Sequence, residues 1–99
     1  MITAIILALA VAAEDRGAQV ALRECAACHS VGPSGDSLNS DAPTFRSLRL
    51  SQNPLSLEKR LTRLPETGHP AMPPRPLSAG DAADLVAYIQ TLAPRTLGR

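Results

Sequence analysis

The sequence predicts an all-α fold. Apolar residues recur at helical spacing in three stretches, capping residues or prolines bound each stretch, and no run alternates in the manner of a strand. A length of 99 residues suits one domain, and no internal repeat divides it.

The elements follow in order. Residues 1–13 carry no charge and are nearly all small or aliphatic. Such a run is too short to span a bilayer, which takes about 20 apolar residues. It matches the apolar region of a secretory signal peptide, with Ala10-Val11-Ala12 as a small-x-small cleavage pattern, although no basic residue precedes it. The expected organisation is a leader over 1–13 and one domain over 14–99. A first helix is predicted over 16–27, capped by Asp15, with Ala18, Ala21, Leu22 and Cys25 on one face. Residues 31–42 are Gly, Pro, Ser, Asn and Asp by bias, which reads as a loop. A second helix starts near Pro54, where Asn53 can cap and proline suits the first helical position. Leu57, Leu61 and Leu64 form its stripe, and Pro65 ends it. The segment 68–76 holds Pro70, Pro73, Pro74 and Pro76, which remove N–H donors and forbid helix or central strand. The third helix opens at Ser78 with Asp81 three residues on, buries Ala82, Leu85, Ile89 and Leu92, and stops before Pro94.

Composition narrows the chemistry. Hydrophobic residues make up 44% of the chain, yet its aromatic residues are Phe45 and Tyr88 alone, so large rings of its own do not fill the centre. A flat, mostly apolar prosthetic group would, and small domains commonly need such a staple. A formal charge of +1 gives no signal for nucleic acid.

Cys25-Ala26-Ala27-Cys28-His29 carries the chemistry. C-x-x-C-H reads as a haem attachment site. Two thiols at this spacing can each add to a vinyl group of one porphyrin, and the adjacent imidazole can ligate its iron. Three other readings compete. A thioredoxin-like pair belongs in a strand–helix context that this chain lacks. A zinc site needs two further ligands, and His69 is the only other His or Cys. A disulfide across two intervening residues would close too short a loop to stabilise much. For the second axial position, Met72 in the proline-rich loop would give His/Met ligation and a raised potential; His69 would give bis-His ligation and a lower one. Basic residues concentrate at Arg46, Arg49, Lys59, Arg60 and Arg63 against one acid, Glu58. They read as a solvated face, or as a patch for haem propionates or an acidic redox partner.

The chain resembles the class I c-type cytochromes, particularly short bacterial members, over nearly everything after the leader. The resemblance rests on Gly17 ahead of the cysteine motif, Ala42-Pro43-Thr44-Phe45, Ala71-Met72-Pro73-Pro74, and Leu77-Ser78 followed by Asp84-Leu85-Val86-Ala87-Tyr88-Ile89. It implies a cytochrome c-like fold of three main helices and loops around one covalent haem c, with Cys25 and Cys28 as thioethers and His29 and Met72 as iron ligands. It implies a crossing of the first and last helices at Gly17, opposite Leu85 and Tyr88, and a Pro43 carbonyl that accepts from His29 Nδ1–H. Two departures stand out. Ala21 occupies a position where relatives often carry an aromatic residue, and no Trp or Tyr between His29 and Met72 can serve a propionate, which leaves Arg46 or Arg49.

The function so implied is single-electron transport between extracytoplasmic, in bacteria periplasmic, redox proteins. The chain would be a carrier rather than an enzyme, with no small-molecule substrate, either as a monomeric shuttle or as the cytochrome subunit of a periplasmic oxidoreductase. A haem sensor with an open sixth site is the further alternative.

Overall fold

The computed structural model describes residues 2–63 and 77–92, with side chains from residue 12 onward. Among the described residues the protein is all-helical: α1 Ile2–Glu24, α2 Phe45–Ser51, α3 Pro54–Leu61 and α4 Ala79–Gln90, with no strand.

Helix α1 differs from the expected 16–27 at both ends. It starts at Ile2 because Ala, Leu and Ile before Asp15 favour helix and nothing breaks the run, so Asp15 lies inside it. It ends at Glu24 because the ladder slips there: Cys25 N–H and Ala26 N–H both donate to the Ala21 carbonyl, each at 3.0 Å. Its buried face is also rotated from the expected one. Gly17, Val20 and Ala21 are buried, whereas Leu22 is 61% exposed. The inward ridge runs at i, i+3 and i+4 from Gly17, a residue that apolar counting passes over.

That ridge meets α4, its principal partner. A Cβ on Gly17 would overlap the Asp84 carbonyl and lie 2.7 Å from Tyr88 Cβ, so glycine sets the closeness of the crossing. Opposite it, Ala82, Leu85, Ile89 and Leu92 are buried as their spacing predicts, joined by Val86. Ala21 is fully buried at this contact, where a small side chain suits the close approach. Outside the core, Arg16 reaches Asp84 and Arg23 reaches Asp81, both exposed ion pairs worth little alone.

Three caps fix the other elements. Ser78 accepts from the Asp81 N–H, and Asn53 accepts from the Leu55 and Ser56 N–H groups ahead of Pro54, as the sequence predicts. Helix α3 ends at Leu61, buries Leu57 and half-buries Leu61; Leu64 and the expected stop at Pro65 lie outside the described residues, as does Pro94. The third cap belongs to α2, which the sequence reading missed. Thr44 Oγ1 accepts from Ser47 N–H while Ser47 Oγ donates to the Thr44 carbonyl at 2.7 Å. Phe45 and Leu48 give this seven-residue helix only two apolar anchors, too few for a periodic signal.

Candidate functional site

The site starts where α1 stops. The Cys25 carbonyl accepts from both Cys28 N–H, at 3.2 Å, and His29 N–H, at 2.9 Å, so residues 25–28 form one tight turn. Both cysteine side chains are half-buried. Cys25 packs against the apolar core, and that burial, reinforced by Glu24, pushes its thiol up to about 11. A dithiol oxidoreductase depends on a cysteine whose pKa is lowered, and Cys25 is shifted the opposite way.

His29 is held on two sides. Its ring is 9% exposed, and Nδ1 lies 2.6 Å from the Pro43 carbonyl. A carbonyl can only accept, so Nδ1 carries the proton and the ring's lone pair stays on Nε2. Phe45 packs against the imidazole, with ring centroids 5.5 Å apart and planes tilted by 49°. The Phe45 N–H also donates to the Ser30 carbonyl at 2.9 Å. The start of α2 therefore positions the histidine, through Phe45 on α2 and Pro43 just before its cap. Further along, Tyr88 on α4 donates its hydroxyl to the Val31 carbonyl at 2.5 Å, tying the last helix to the segment after His29.

The structure thus brings His29 and Pro43 together and sets Cys25 and Cys28 one turn apart beside them. Met72 and its rival His69 lie outside the described residues. Partners within this chain are seen for Arg46, Arg49 and Arg60 among the described residues. Arg46 bonds oxygens of loop 30–35, Arg49 Nε donates to the Gln90 carbonyl at 3.3 Å, and Arg60 reaches Gln52 Oε1 at 3.3 Å. Arg46 and Arg49, the residues expected to serve a propionate, are thus each bonded to oxygens of their own chain. Arg49 helps to satisfy the C-terminal end of α4. Phe45 and Arg46 are contributors whose roles the sequence reading did not assign; the Thr44-x-x-Ser47 cap was the available signal that a helix begins beside them.

These residues fit a covalently held metalloporphyrin. The imidazole offers Nε2 with Nδ1 already engaged, the tautomer that metal-ligating histidines adopt. Among the described residues no three His, Cys, Asp or Glu side chains cluster as a bare metal site.

Comparison with known proteins agrees. Residues 12–89 match the family described as cytochrome c oxidase, cbb3-type, subunit III. Cytochrome c-552 of Bradyrhizobium diazoefficiens is 37% identical over 78 residues, covering 79% of this chain and 73% of that protein. No solved structure gives a significant match. The chain belongs to this family of c-type cytochromes, electron carriers rather than enzymes, whose cofactor is covalently bound haem c.

Proposed function

We propose that this chain is a monohaem carrier that passes single electrons between extracytoplasmic redox partners, with haem bonded to Cys25 and Cys28 and its iron ligated by His29 and Met72. The observation that carries this reading is the 2.6 Å contact of His29 Nδ1 with the Pro43 carbonyl. It keeps the proton on the nitrogen away from the metal and strengthens Nε2 as a donor.

Bound haem iron supplies one-electron chemistry by cycling between ferric and ferrous states. The chain's residues determine how easily that happens. Phe45, Leu85 and Ile89 belong to the buried apolar core, and apolar side chains around the haem would disfavour the extra charge of the ferric state. The buried imidazole, anchored by Pro43 and Phe45, would hold the iron with little movement between the two states. Met72 would complete the set with a neutral thioether from the proline-rich segment 68–76. No general base, nucleophile or substrate pocket is required.

The ferric absorption spectrum tests the ligand pair. A methionine–iron charge-transfer band near the red end is expected in the wild type, lost in Met72→Ala and retained in His69→Ala. A wild type without the band contradicts Met72 ligation and favours His69 or an open sixth site.

The family description, that of an oxidase subunit, supports a second arrangement in which the same domain is docked in an oxidoreductase complex. Size-exclusion chromatography of native extract distinguishes a small shuttle from a component of a large assembly. Export is proposed from the apolar run 1–13, and the family match begins only at residue 12. Among the described residues no helix is long and apolar enough to cross a membrane. N-terminal sequencing of mature protein should begin at or beside Glu14; a chain retaining Ile2 contradicts cleavage.

A further inference from the structure

Immediately after His29 the chain forms a loop that bonds to itself. Ser30 N–H donates to Ser37 Oγ at 2.9 Å, Ser30 Oγ donates to the Ser34 carbonyl at 3.3 Å, and Gly35 takes the positive φ of 95° that lets the turn close. Arg46 reaches into this loop from α2. Its Nη2 donates to the Gly35 carbonyl at 2.9 Å, and Nη1 lies 3.4 Å from both Ser30 Oγ and the Gly32 carbonyl. None of these partners is an acid. A planar guanidinium with donors in a fixed fork can serve several neutral oxygens at once, as an ammonium cannot.

Segment 43–46 therefore grips the His29-Ser30 step at successive points. Pro43 holds Nδ1, Phe45 holds the ring face and the Ser30 carbonyl, and Arg46 holds the Ser30 hydroxyl and the loop beyond. We infer that Arg46 is a positioning residue for His29: by fastening loop 30–35 to α2 it keeps the Pro43 carbonyl on Nδ1, and through that contact sets the donor strength of the imidazole. The inference rests on His29 being the iron ligand. A firm Nδ1–H···O bond raises ligand basicity and favours ferric iron, so loosening it favours the ferrous state. Removing the Arg46 charge acts in the opposite direction, because a nearby cation disfavours ferric iron. The two contributions therefore separate by sign.

The test uses haem-loaded protein. Proton exchange at His29 Nδ1, followed by NMR, should accelerate at least tenfold in Arg46→Met and in Arg46→Lys. Arg16→Met serves as control, since it removes the exposed pair with Asp84 and leaves the loop untouched. Arg46→Lys keeps the charge and loses the fork, so its reduction equilibrium should move toward ferrous iron by about threefold, or ~30 mV at 59 mV per tenfold for one electron. Where Arg46→Met does not fold, Arg46→Lys supplies both readouts. Exchange no faster than in Arg16→Met, or an unmoved or lowered potential in Arg46→Lys, overturns the assignment of Arg46. Wild-type His29 ring protons without iron-induced shifts overturn the ligand reading itself, and this inference with it.

Discussion

Replacing Gly17 with alanine sets two effects against each other. Helix propensity favours alanine by about 1 kcal/mol. The new Cβ, however, would meet the Asp84 backbone and Tyr88 Cβ, neither of which is the free end of a flexible side chain. Overpacking of this kind costs about 1–3 kcal/mol, so a net destabilisation of up to ~2 kcal/mol is expected in denaturant titrations. A gain in stability would show that α1 and α4 do not approach so closely. Phe45 is a second test, because it belongs both to the core and to the wall of the histidine. Phe45→Ala should cost about 3–5 kcal/mol, in the range for a buried aromatic, and should also shift the reduction potential. Loss of stability with an unchanged potential would separate Phe45 from the site. At this scale the motif itself was legible, because C-x-x-C-H is a local pattern. The Pro43 contact came into view only through family resemblance, since fourteen residues separate it from His29. The hold of Arg46 on loop 30–35 was not legible. Its partners are mostly carbonyls of a loop, and composition does not disclose where a loop's carbonyls lie.

Caps and breakers are what a single sequence reveals most directly about an element. Ser78 and Asn53 lie at the helix starts read from the sequence, each taking N–H groups that have no partner inside the helix. Ser78→Ala and Asn53→Ala should each lower stability by ~1 kcal/mol, read as a shift in denaturant midpoint at constant slope. A cap substitution without effect would place the helix start elsewhere. Helix α1 escaped correct bounds for a different reason. A capping residue such as Asp15 marks a start only where the preceding chain is not itself helical, and 2–14 is rich in helix formers. Its buried face was misread because the helix crossing is centred on a glycine, which carries no hydropathy. Helix α2 escaped because seven residues provide less than two turns of pattern, and its existence depends on tertiary contacts of Phe45 with the core and with His29.

On the scale of the whole molecule, the helices of the described residues share one small core, built from Val20, Ala21, Phe45, Leu57, Leu85, Val86, Ile89 and Leu92. One aromatic side chain in that list is little for a domain of this size, and a covalent prosthetic group supplies the missing apolar bulk. The functional account hangs on this group being bonded to both sulfurs of the turn that ends α1. The most direct measurement is the intact mass of the matured chain, followed by peptide mapping of residues 25–29. The expected result is the added mass of one haem, carried by the peptide with Cys25 and Cys28, and no thiol that reacts after denaturation. An unmodified mass with two alkylatable cysteines would contradict the account.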